Sequence, residues 1–187
     1  MTTPARGGHH VALRVADLER SVAFYAAAFG GRQRTRPVTL TGEFPETIYG
    51  GGPGCTVRLC HVGFAHGAVE LFEFSPPRPS ATAPQADAGI MHAAFQVDSV
   101  HQTADAVVGA GGAVVGEVID WGGKPFAYCT DPDGNVLELA EVSCEETYGL
   151  VEKVFPGSLI AAAGDQGTDN DQGAAGIAAG PANEEDS

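Results

Sequence analysis

One pattern occurs twice in this chain, and the repeat constrains its fold more than any other feature. His10 opens HVALRV, and His92 follows a single methionine in MHAAFQV. Glu70 lies in AVELFEF and Glu138 in NVLELAEV. The two histidines are 82 residues apart and the two glutamates 68, so the first copy carries a 14-residue excess. A duplicated unit with one His and one Glu per copy can bring four metal ligands to one point.

Each copy has the same order of elements. Residues 9–15 alternate and predict a strand. Asp17 offers an N-cap, Leu18, Val22, Tyr25 and Phe29 recur at helical spacing, and Gly30-Gly31 ends the helix. A second strand is expected over 32–40, then a Gly/Pro-rich loop over 41–54, then strands near 56–62 and 68–74. The second copy predicts a strand at 91–97 and a helix capped by Ser99 that carries Val100, Ala104, Val107 and Val108. Gly111-Gly112 stops that helix, and strands follow near 113–119, 124–130 and 135–141. Asp131-Pro132-Asp133-Gly134 is a strong turn signal before the last of them. Each copy therefore reads β-α-β-β-β, an α+β arrangement. The expected organisation is an N-terminal tail 1–8, a first module 9–74, a Pro-rich linker 75–89, a second module 90–142, a C-terminal extension 143–156 and a tail 157–187.

Composition narrows the function. At 43% hydrophobic residues the chain can bury a real core. The net charge is −14, of which six acids without any Lys or Arg place −6 in residues 157–187 and leave −8 for the rest. Neither part offers a basic footprint for nucleic acid or an anionic membrane. The tail is rich in Gly, Ala and acids, lacks aromatics, and is expected to be disordered. No run of apolar residues is long enough to span a bilayer, and MTTPARGGHH has no apolar stretch of the secretory kind. Four cysteines without a CxxC pair point to free thiols and a cytoplasmic location.

Strand alternation groups the polar residues. Side chains at i, i+2 and i+4 share a face. His10, Ala12 and Arg14 point one way, and Val11, Leu13 and Val15 the other. His92, Ala94 and Gln96 oppose Ala93, Phe95 and Val97. Glu70 shares a face with Phe72 and Phe74, and Glu138 with Val136 and Ala140. Two imidazoles and two carboxylates on such faces suit one divalent cation, whether Zn, Ni, Co, Fe or Mn. His9 points away from His10 on this reading. His61, His66 and His101 lack the repeat register and read as surface polar residues, with His66-Gly67 in a hairpin turn.

The segments HVALRVADLERSVAFYAAAFGG, AVELFEF, MHAAFQVDSV and DPDGNVLELAE resemble the vicinal oxygen chelate superfamily, which includes glyoxalase I, bleomycin resistance proteins and extradiol dioxygenases. The resemblance covers roughly residues 8–142. It implies that the curved mixed sheets of two βαβββ modules form a cupped, barrel-like site around a metal held by His10, Glu70, His92 and Glu138. It also implies a small-molecule substrate and a homodimer, in which modules pair within one chain or are exchanged between two.

Several residues are candidates for the substrate side. Arg14 shares the face of His10 and can bind a carboxylate in bidentate fashion. Phe72, Phe74, Phe126 and Tyr128 form walls at alternating positions, and Lys124 follows the Trp121-Gly-Gly turn. The excess loop 41–54 can act as a lid carrying Phe44, Glu46 and Tyr49. The His/Glu/His/Glu set matches glyoxalase I-like members, which implies an isomerase, epimerase or lyase that stabilises an enolate on a small carbonyl or thioester substrate. Glu138 or Glu70 is then the base. The alternatives are a non-haem Fe(II) oxygenase, with Tyr128 or His61 as further acid–base groups, and a small-molecule-binding resistance protein.

Overall fold

A computed structural model describes residues 9–77 and 89–160 of the protein. The N-terminal tail, the centre of the linker and residues 161–187 of the acidic tail lie outside the described residues. The first module runs β1 (Val11–Val15), α1 (Leu18–Phe29), β2 (Arg32–Gln33), β3 (Val38–Leu40), a single π-helical turn (Phe44–Ile48), β4 (Thr56–Gly63) and β5 (Ala68–Ser75). The second runs β6 (Ala93–Gln96), α2 (Val100–Gly109), β7 (Ala113–Trp121), β8 (Lys124–Thr130) and β9 (Val136–Ala140), and α3 (Cys144–Val154) follows.

Both modules share one topology. The first strand pairs in parallel with the last, giving the orders β1-β5-β4-β2 and β6-β9-β8-β7, with β3 also on β4. The repeat is faithful to the residue: Ala12 stands opposite Glu70, and Ala94 opposite Glu138. Each glutamate is thus level with the residue two places after its module's histidine. The expected single strand over 32–40 is two short ones. Pro37 supplies no N–H to a ladder, and the chain breaks pairing there.

The helix ends repeat as well. Asp17 and Ser99 cap α1 and α2 by accepting from Arg20 N and Gln102 N. A carboxylate in or just after each module's last strand, Glu73 or Glu141, accepts from the first helical N–H, of Leu18 or Val100, at 2.8 Å. These bonds satisfy donors that a helix start leaves free. Gly30 closes α1 at φ 65°, a left-handed value that a side chain would strain.

The core lies on the helix side of both sheets. It joins Leu18, Phe24 and Tyr25 of α1 with Val100 and Val107 of α2, and with Val62, Leu71, Leu137 and Leu139 from the strands. Burying each such side chain contributes about 1.5–3 kcal/mol. Because every inner strand sends alternate residues into this core, its other residues face away. On that second face lie Val57, Leu59 and Phe72 in one module, and Phe126, Ala140 and Val142 in the other.

The C-terminal extension forms a helix that hydrophobic periodicity alone does not reveal. Its signal is a capping box, with Ser143 accepting from Glu146 N while the Glu146 carboxylate accepts from Ser143 N. Leu150 of α3 packs with Trp121 against Phe126, Ala140 and Val142. Lys153 Nζ donates to Gly122 O at 2.8 Å. The four cysteines are free thiols. Among the described residues, no helix is long and apolar enough to cross a membrane.

Candidate metal centre

The four repeat residues meet in two pairs. His10 Nε2 is 3.1 Å from Glu70 Oε2, and His92 Nε2 is 2.7 Å from Glu138 Oε2. All four side chains are partly shielded, at 15–17% exposure for the glutamates and 23–32% for the histidines. The alternation that sends Leu71 and Leu139 into the core puts both glutamates on the opposite face. The two pairs do not merge: among the described residues, no group of three or more His, Cys, Asp or Glu is gathered tightly enough to hold a metal. One chain presents two half-sites.

The residues present fit a divalent metal. Ligand bonds near 2.0–2.2 Å put neighbouring donors of one coordination sphere about 3 Å apart, which is the spacing within each pair. In each pair an imidazole stands beside a carboxylate, the donor chemistry that borderline divalent cations prefer. His10 is also oriented from behind, since its Nδ1 lies 2.7 Å from His9 Nδ1. A ligating histidine commonly donates its far N–H to such an acceptor. The sequence reading pointed His9 away from His10; the strand begins only at Val11, so alternation does not govern residue 9. His92 differs, because its Nδ1 is buried with no hydrogen-bond partner. Its ring is directed by Glu138 on one side only.

The structure adds a residue that the sequence reading set aside. His61 is not a detached surface residue: its Nε2 lies 3.3 Å from Glu70 Oε1. It stands directly opposite Glu70 in the β4–β5 register. The available signal was the hairpin itself, since the turn at Phe64–Gly67 fixes which residue of β4 faces the glutamate. Tyr128 holds the matching place in the second module, opposite Glu138. Its ring lies 5.5 Å from that of His92. Burial and the neighbouring Glu138 charge raise the Tyr128 pKa, so the phenol stays a hydrogen-bond donor at neutral pH.

Other predicted residues are placed as follows. Phe72 lies two residues along β5 from Glu70 and belongs to the apolar patch with Leu59 and Phe74. The excess loop covers that patch: Tyr49 meets Phe72 edge-on at 5.5 Å and Phe74 at 6.2 Å. Phe44 remains exposed and Glu46 turns back to accept from Gly54 N. Phe126 packs with Trp121 in the second module. Arg14 is exposed and makes no ion pair among the described residues. Lys124, also exposed, begins β8 opposite Trp121. A cavity of about 780 Å³ has His10 in its lining. It opens where β1 and β6 end their sheets, between His9, His10, Phe29, Phe64 and Phe95.

The fold is a duplicated βαβββ unit with one His–Glu pair in each copy. The chain belongs to the Glyoxalase/Bleomycin resistance protein/Dioxygenase superfamily, which it matches over residues 7–139. A probable lactoylglutathione lyase of Vibrio parahaemolyticus is 30% identical over 137 residues, 71% of this chain and 88% of that protein. The lactoylglutathione lyase of Haemophilus influenzae is 29% identical over 134 residues, 71% of this chain and 90% of its own length. In three dimensions the chain resembles a glyoxalase family protein from Bacillus cereus, with a TM-score of 0.64 at 22% identity, covering 74% of this chain and 95% of that one. It also resembles the fosfomycin resistance protein FosX of Listeria monocytogenes, solved with Mn(II), with a TM-score of 0.56 at 18% identity over 81% and 99%. At these identities the structural likenesses carry the fold alone.

Proposed function

We propose that this protein is a divalent-metal-dependent isomerase or lyase of the glyoxalase I type, acting on a small carbonyl or thioester substrate. The observation that carries this reading is the pair of His–Glu contacts, one per module, in identical register and at the spacing of neighbouring ligands. The likeness to lactoylglutathione lyases supports it. His10, Glu70, His92 and Glu138 would hold the metal. When bound, that metal supplies Lewis acidity toward two adjacent substrate oxygens.

The chain's own residues do the rest. Glu138 takes the proton from the carbon beside the carbonyl and returns it to the neighbouring carbon, the ordinary work of a general acid–base carboxylate. Arg14, level with Phe72 on the next strand, binds a substrate carboxylate. Phe72 and Phe126 wall the two half-sites, and Tyr128 donates beside Glu138. Lys124 meets an acidic group at the outer end of β8.

A second copy of the chain completes the site. β1 and β6 are both end strands, paired only with β5 and β9. An unpaired strand edge invites another strand. Pairing of these edges between two chains would bring the His10–Glu70 pair of one chain to the His92–Glu138 pair of the other.

One observation favours the iron oxygenase as a second reading: a further imidazole and a phenol, His61 and Tyr128, stand beside the glutamates. Against it, that chemistry uses two histidines and one carboxylate, whereas two carboxylates are present here. Metal analysis of the purified protein, followed by assay with and without oxygen, decides. We expect about one metal per chain and oxygen-independent exchange of a substrate α-proton in D₂O. Bound iron with oxygen consumption would replace this reading with the oxygenase. A protein that takes up no metal would leave the small-molecule-binding alternative.

A further inference from the structure

The strand beside each candidate metal glutamate carries one more polar group, and the two modules differ there. His61 faces Glu70 across β4–β5, and Tyr128 faces Glu138 across β8–β9. Glu70 is shared between two imidazoles: Oε2 lies 3.1 Å from His10 and Oε1 3.3 Å from His61. The rings of His10 and His61 stand edge-to-face with centroids 6.1 Å apart, on either side of the carboxylate.

His61 is itself held. Thr35 Oγ1 accepts from His61 N at 2.9 Å and lies 3.3 Å from His61 Nδ1. Arg34 N donates to His61 O at 2.8 Å. The donors and acceptors can be satisfied in one consistent direction. With a hydrogen on Nε2 aimed at Glu70 Oε1, Nδ1 is free to accept the Thr35 hydroxyl hydrogen.

We propose that His61 is a positioning residue, which holds Oε1 of Glu70 so that only Oε2 turns toward His10 and the metal. Glu70 is then the anchored, one-oxygen ligand. Glu138, which faces a phenol in place of that imidazole, is the carboxylate with freedom to move. This rests on the metal reading above and assigns different work to two glutamates that the repeat makes look equivalent.

The test uses the full-length protein loaded with Co(II), read by its visible spectrum and by competition with a chelator. We expect H61F to keep the fold, shift the Co(II) bands and weaken binding about 10–100-fold, the usual cost of losing such a supporting group. H61Q, whose amide can still donate to Glu70, should recover most of that loss. T35V should reproduce part of it by freeing the ring. Unchanged affinity and spectrum in H61F, beside loss of binding in H10A, would overturn the proposal. If H61F fails to fold, T35V decides, and a wild-type spectrum and affinity there would equally overturn it. If the wild-type protein binds no Co(II), the metal reading itself falls and takes this one with it.

Discussion

Tyr25 of α1 donates its hydroxyl to Asp131, on the turn before β9, at 3.0 Å, with both residues buried between the modules. The same carboxylate accepts from Asp133 N, Asn135 N and Asn135 Nδ2. Two residues on, Asp133 accepts from Arg20 and Ser21 of α1. Asn135 also donates to Arg14 O. The Asp-Pro-Asp-Gly-Asn turn therefore fastens the first module's helix to the second module's last strand. It fixes how the two modules of one chain sit together, and hence keeps its two half-sites apart.

Replacing Tyr25 with Phe removes one of four donors to a buried carboxylate without changing much volume. We expect a loss of about 1–3 kcal/mol, measured by urea unfolding. A change within error would mean that the turn is held by its remaining bonds alone.

The same contact gives a pH dependence. Burial, and then the Asp131 charge, raise the Tyr25 pKa far above that of a free phenol. Burial, and then Asp131, push the Cys129 thiol up to about 11. Above pH ~9–10 the unfolded chain releases both protons while the folded chain keeps them. The unfolded state then binds fewer protons, so stability falls as pH rises. Unfolding midpoints followed from pH 8 to 11 should decline, and less steeply in Tyr25→Phe.

Module exchange can be tested by complementation. One variant carries His10→Ala with Glu70→Gln, and the other His92→Ala with Glu138→Gln. If sites form between chains, refolding the two together pairs the intact first module of one with the intact second module of the other. The mixed dimer should bind about half the wild-type metal, whereas either variant alone binds little. No recovery on mixing would place each site within a single chain.

In Glu138→Gln the amide oxygen can still coordinate, but an amide is a very poor base. Metal should be retained while turnover and α-proton exchange in D₂O fall by roughly 10²-fold or more. Normal exchange in the metal-loaded variant would move the base to Glu70.

The boundary of the C-terminal tail follows from Glu152. Its carboxylate accepts from Gly157 N at 2.9 Å and Leu159 N at 2.8 Å, so the chain beyond α3 folds back on the helix. Truncation after Ile160 should leave the melting temperature and activity unchanged. Truncation after Pro156 removes both bonds and should lower Tm by about 2–4 °C.

The sequence by itself determined the repeat, the helix caps at Asp17 and Ser99, and the faces of His10, Glu70, His92 and Glu138. These are local properties: a two-residue period and a capping side chain act within a few residues, and duplication writes them twice. It missed α3, because a capping box is a short signal without a strong apolar stripe behind it. It also set His61 aside, because the partner of a strand residue depends on where the hairpin turns. Only the tertiary structure decided that Glu70 lies between two imidazoles, that Tyr25 reaches Asp131 across 106 residues, and that the four repeat residues stand as two separate pairs. The first follows from the pairing of β5 with both β1 and β4; the other two join residues far apart in the chain, and packing of the modules sets them, which no local pattern records.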